Sequence, residues 1–211
     1  MLAFRYPDKP IECGPEFLEG IRETEWVAQG KYDGWRAEVY TDANQTPTVF
    51  SRVGKPLLET NANVPAALLN ELAKVCKGIP PLSVLDAEFV GPRGGHDPRL
   101  FVFDVLAWDD LWLVKRTFQQ RREMLLGIRG IGLSSCPHSH ILHAETVESD
   151  FGAYFHRLRQ LWYDGGCEKL DLHEGIVLKR LTGKLTLDLN NSVKSRHMYK
   201  LKYRDVLSPK Y

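Results

Sequence analysis

The sequence predicts an α+β fold in a single domain spanning residues 1–211. Three observations carry that expectation. Helical periodicity is confined to a few stretches, chiefly near residues 64–75, 119–128 and 151–162. Short apolar or alternating runs, bounded by Gly, Pro, Asn and Asp, occupy most of the rest. No repeat, low-complexity tract or linker divides the chain, and 211 residues are enough for one substantial core.

In chain order, residues 1–24 read as an irregular arm punctuated by Pro7, Pro10, Gly14 and Pro15, with a short helical piece near 16–22. Strands are expected at about 26–29, 35–41 and 48–51, the last two joined by a turn at 42–45. Asn63 is a candidate cap for a helix over 64–75 with Leu68, Leu69, Leu72 and Val75 on one face. Pro80-Pro81 then forbids helix. Residues 83–90 and 100–106, rich in Val and Phe, read as buried strands. Gly91–His96 between them lacks the Lys-Ser/Thr ending of a phosphate-cradling loop and reads as a hairpin connection. Thr117 is placed to cap a helix over 119–128, with Glu123 and basic partners on its outer face. Asp150 is placed to cap another, in which Phe151, Tyr154, Phe155, Leu158, Leu161 and Trp162 recur at core spacing. Gly165-Gly166 ends it, and strands at 175–179 and 197–203 close the fold.

A hydrophobic content of 43%, a charged content of 26% and a net charge of +1 are ordinary for a soluble globular protein. The near-neutral balance neither requires nor excludes nucleic acid, because a basic face can be offset elsewhere. No apolar run reaches membrane-spanning length, and the first residues do not read as a signal peptide. Cys13, Cys76, Cys136 and Cys167 contain no Cys-x-x-Cys pair, so reduced thiols in a cytoplasmic compartment are expected. Cys136-Pro137-His138-Ser139-His140 with His143 holds zinc-ligand residue types, but not at finger spacing; a polar loop entering a strand is the expected reading.

The chemistry concentrates at Lys31-Tyr32-Asp33-Gly34-Trp35-Arg36. A lysine at a strand end, followed by an Asp-Gly turn back into the next strand and by a nearby arginine, is arranged as a nucleophile whose cationic surroundings free the amine. Glu88 ends an apolar run, where a carboxylate needs a partner. Lys200 and Lys202 share one face of a strand by period two.

The hexapeptide resembles Lys-x-Asp-Gly-x-Arg, the nucleotidyl-acceptor motif of ATP-dependent DNA ligases, RNA ligases and mRNA capping enzymes. Ser51-Arg52-Val53-Gly54, Leu85-Asp86-Ala87-Glu88, Phe101-Val102-Phe103-Asp104, Glu174-Gly175-Ile176-Val177-Leu178-Lys179 and Lys200-Leu201-Lys202 resemble that superfamily's later motifs, in order, over nearly the whole chain. The resemblance implies an ATP-grasp-like nucleotidyltransferase domain of antiparallel sheets flanked by helices. It implies Lys31 as the residue that takes AMP from ATP, with Mg2+ as cofactor and nicked duplex DNA, or RNA, as the partner.

By the same resemblance Gln29 meets the purine. Its amide can accept from adenine N6 or donate to guanine O6, so base choice stays open. Arg36 and Arg52 would grip ribose and phosphates, although Arg52 also reads as a basic turn. Glu88 would contact ribose and lie near metal. Phe103 would stack on the base, or fill the core in a row with Phe101 and Val105. Val177 would cover the base's other face. Glu174 would ligate Mg2+, and Lys200 and Lys202 would meet the α-phosphate. The superfamily's DNA ligases carry a following OB-fold domain, for which a sequence ending at Tyr211 is expected to leave no room, as in an excised domain or a solitary nucleotidyltransferase; a monomer is expected, with a partner protein supplying that function. RNA ligation, capping, or nucleotide and nick binding without turnover are the alternatives.

Overall fold

The computed structural model describes residues 2–58, 64–92, 97–133, 136, 138–163, 172–189 and 193–203. The elements in order are β1 (Tyr6–Pro7), β2 (Lys9–Glu12), α1 (Phe17–Gly20), a 3-10 turn (Glu23–Glu25), β3 (Trp26–Tyr32), β4 (Trp35–Thr41) and β5 (Pro47–Ser51). Then come α2 (Ala66–Lys77), β6 (Val84–Val90), β7 (Arg99–Trp108), β8 (Leu111–Trp112), α3 (Phe118–Leu126), β9 (Ile141–His143) and β10 (Thr146–Val147). The last are α4 (Phe151–Tyr163), β11 (His173–Arg180), β12 (Leu187–Asp188) and β13 (Lys194–Lys202). The α+β class expected from the sequence is what the chain adopts.

Two sheets organise it. One runs β10-β3-β11-β13-β2; the other runs β5-β4-β6-β7-β8, with β9 beside β7. Pairing is antiparallel except for β13 with β2 and β7 with β9. A two-stranded pair of β1 and β12 stands apart.

Period-two alternation decides which face of each sheet meets a helix. On the first sheet Ala28, Ile176, Leu178 and Leu201 pack against Phe151, Tyr154, Phe155 and Leu158 of α4. On the second, Ala37, Val39, Leu85, Ala87, Phe89 and Val102 pack against Leu68, Leu72 and Val75 of α2 and Leu125 of α3. Each fully buried Leu, Val or Phe contributes roughly 1.5–3 kcal/mol of transfer free energy, so these outer layers carry the stability. The inner faces carry charged residues beside apolar ones such as Phe103, Leu106 and Val177.

Several local expectations are corrected. Strand β3 runs on through Lys31 to Tyr32, and β4 pairs with β5 and β6, not with β3. Asp33-Gly34 is therefore a crossing between sheets rather than a hairpin turn. The amino-terminal arm contains the short strands β1 and β2, which form because β12 and β13 offer partners; two to four residues carry no period to read. Helix α2 starts after Pro65, which caps it without a side-chain bond, and Leu69 is 45% exposed, so it leaves the buried stripe. Asn63, Gly165-Gly166 and most of the Gly91–His96 connection lie outside the described residues, although β6 and β7 do pair antiparallel as a hairpin requires. Residues 138–140 lead into β9, as expected of a polar loop entering a strand, and Pro137 lies outside the described residues. No disulfide joins Cys13, Cys76 and Cys136. Among the described residues no helix is long and apolar enough to cross a membrane.

Candidate active site

The inner faces of the two sheets enclose a cleft of about 680 Å³, within the usual range for small-molecule sites. Every residue singled out from the sequence lines it: Gln29, Lys31, Arg36, Arg52, Glu88, Phe103, Glu174, Val177, Lys200 and Lys202.

The first sheet supplies two rows. Gln29 of β3 lies opposite Val177 of β11, which lies opposite Lys200 of β13; one step along, Lys31 and Lys202 flank Gly175 from either side. Gly175 has φ +155°, and a Cβ there would stand 2.0 Å from the Leu201 carbonyl oxygen, so the row closes only without a side chain. Lys31 Nζ donates to Glu174 Oε1, and Lys202 Nζ lies 3.1 Å from Glu174 Oε2. Burial alone would raise the Glu174 carboxyl, but the bonds and charges of Lys31 and Lys202 hold it below the usual carboxylate range. Lys200 reaches Glu12 of β2 at 2.8 Å.

Lys31 thus touches a carboxylate, not the cations expected around it. Arg36 is forked onto Asp86, with Nε at 2.9 Å from Oδ1 and a terminal nitrogen on Oδ2. That pairing uses part of the guanidinium expected at a ligand and leaves less of it for one.

The second sheet forms the opposite wall. Arg36 is in register with Glu88, and Asp86 with Asp104. Burial pushes the Glu88 carboxyl up to about 7 against the opposing pull of Lys31 and Arg36. Glu38, beneath, is also raised, by burial and then by Asp86. Strand β7 does not present Phe101, Phe103 and Val105 as one row. An extra residue stands between the Ala87–Val102 and Asp86–Asp104 pairs, and at this bulge the consecutive Phe103 and Asp104 both line the cleft. Phe101 stacks on Tyr32, with ring centroids 3.8 Å apart, in a cluster against which Phe103 also packs, and Val105 joins the outer core. Phe103 carries cations on its ring: Lys179 Nζ at 4.7 Å and the Arg36 guanidinium at 5.9 Å. Arg52 sits exposed in the turn after β5, at the rim.

Sequence reasoning missed a buried cluster at the cleft floor. Arg121 of α3 forks onto Asp104, both bonds 2.9 Å, and Lys179 Nζ lies 3.9 Å from the same carboxylate. Burial pushes Lys179 down to about 8, against the pull of Asp104 and Asp86. The signal was present in outline. Asp86 is two residues from Glu88 and Lys179 two from Val177, so period two puts them on the same inner face. What the sequence does not display is that Arg121 turns inward: it neighbours Arg122 and Glu123, and the basic residues of this helix are expected on its outer face, yet Arg121 is buried.

No protein-family model and no curated protein matches this chain. Solved structures do. A mycobacterial DNA ligase D complexed with ATP superposes with a TM-score of 0.64 at 19% identity, over 94% of this chain and 60% of that one. The ATP-dependent DNA ligase from bacteriophage T7, complexed with ATP, gives 0.57 at 14% identity over 93% and 68%. An archaeal ATP-dependent RNA ligase gives 0.52 at 14% identity over 94% and 48%. The chain spans about 60% of the length of the ligase D structure it matches. Its fold is that of the nucleotidyltransferase domains of ATP-dependent polynucleotide ligases.

Proposed function

We propose that the cleft binds ATP and that Lys31 takes AMP from it, for transfer to the 5′-phosphate of nicked duplex DNA. The observation that carries this is the convergence of Lys31, Glu174 and Lys202 on one sheet face, opposite Glu88 and Phe103, in a cleft of nucleotide size. Lys31 Nζ attacks the α-phosphorus. A P–N bond forms, the bond from that phosphorus to the bridging oxygen breaks, and pyrophosphate leaves. Nζ sheds one proton to free its lone pair before the attack and a second as the P–N bond forms, both passing to solvent, while Glu174 holds and orients the amine. Phosphate oxygens entering the cleft compete with Glu174 and Glu12 for Lys202 and Lys200, whose charges offset those developing on the phosphoryl group. Phe103 and Val177 supply apolar surface for the base.

The carboxylates suit magnesium carried in by the triphosphate, since that ion takes one or two protein carboxylates and keeps water and phosphate ligands. Glu174 and Glu88, which both line the cleft, would hold it. Bound there, it would supply positive charge at the phosphoryl oxygens.

Intact-mass measurement after incubation with ATP or GTP and magnesium tests the proposal. The expected result is a gain of one nucleoside monophosphate from ATP, lost in Lys31→Ala. Supplying nicked DNA and nicked RNA then separates the acceptors. Labelling by GTP alone, or nucleotide binding with no covalent product, rejects the assignment; the second outcome identifies a binding module without turnover.

A further inference from the structure

Gln29 is 4% exposed, and its Oε1 is buried without a hydrogen-bond partner among the described residues. Its other amide atom is engaged: Nε2 donates to Thr146 Oγ1 at 3.1 Å, across the Gln29–Thr146 register pair of β3 and β10. The hydroxyl decides which way the amide faces. Thr146 Oγ1 has one proton and donates it to the Ala144 carbonyl at 3.0 Å, so toward Gln29 it can only accept. An acceptor must meet the amide NH2, and the amide oxygen is therefore turned away from Thr146. The relay has a fixed anchor, because Ala144 N donates to the Val102 carbonyl of the second sheet at 2.8 Å.

We propose that Thr146 is a positioning residue that sets base choice, by locking Gln29 with its oxygen offered to the purine. Resting on the ATP reading above, this makes the cleft a receptor for a purine that donates at position 6. Adenine N6 satisfies the buried oxygen. Guanine O6 would face it as a second acceptor, leaving two desolvated oxygens unpaired. The ambiguity of a glutamine, which a freely turning amide would keep, is removed by a neighbour 117 residues away.

Equilibrium binding of AMP and GMP to the full chain tests this apart from turnover. The wild type is expected to favour AMP by about 30-fold or more, since a site built around a purine's hydrogen-bonding edge strongly rejects a mismatched partner. In Thr146→Val the hydroxyl is gone and the amide is free to turn, so the preference should narrow by about tenfold or more. Thr146→Ser keeps the relay and should restore it, which a merely structural role for the threonine methyl would not do. Thermal melts verify that each variant is folded, and Thr146→Ala carries the same expectation if the valine variant does not fold. If the wild type binds neither nucleotide, or favours GMP, the ATP reading falls and takes this proposal with it. If the wild type favours AMP and the hydroxyl-free variants favour it equally, only the role of Thr146 is overturned.

Discussion

Glu88 shows how residue chemistry was legible while its surroundings were not. Its position after an apolar run marked it as a carboxylate in need of a partner, but the pull of Lys31 and Arg36 does not overcome its burial, and its carboxyl sits at about 7. A carboxyl raised in the folded state adds stability that is complete below its unfolded value near 4.5 and is lost as pH rises through about 7. Glu88→Gln removes that dependence. Without nucleotide, the variant and the wild type should melt alike at pH 4, and the variant should be the more stable at pH 8, by about 1–3 kcal/mol. Melting curves that stay superimposed at both values would refute the buried-carboxyl account. The contacts of Arg36 with Asp86 and of Lys31 with Glu174 join residues 50 and 143 positions apart, and nothing in either local sequence announces them.

Among the elements, α3 was the most readable, because its start signal is local. Thr117 Oγ1 accepts from Gln120 N at 3.3 Å, and Gln120 Oε1 accepts from Thr117 N at 3.1 Å, a reciprocal cap that the spacing of the two residues anticipates. Thr117→Ala should lower stability by about 1 kcal/mol, a fall of about 2–4 °C in the melting midpoint for a chain of this size. An unchanged midpoint would mean that the backbone bonds from Phe118 and Gln119 to Gly183 and Leu181 hold the first turn unaided. The apolar stripe of α4 was equally plain. Strands were located well by alternation and located poorly with respect to each other. Local pattern says which residues share a face, but not that β3 and β4 belong to different sheets, and the bulge after Phe103 breaks the alternation, so that Val105 leaves the row of Phe101 and Phe103.

At the scale of the whole molecule, the net charge of +1 conceals a rim that includes Lys9, Arg52 and Lys194 beside the cleft. If that rim meets a nicked duplex, affinity should fall linearly in log–log terms with added salt, at a slope near −0.9 for each phosphate contacted. Fluorescence anisotropy of a labelled nick between about 50 and 200 mM salt would measure it. A flat response would remove phosphate contact from the account.

The crossing at Asp33-Gly34 bears on how the molecule can open. Tyr32 ends in one wall and Trp35 begins in the other, so the covalent backbone keeps the walls within about 11 Å at that edge. The packing is tight as well, since a Cβ on Gly34 would lie 2.3 Å from the Phe89 carbonyl oxygen. The nucleophile therefore stands beside a covalent link between the two walls, and any gape large enough to admit a triphosphate must widen away from that edge.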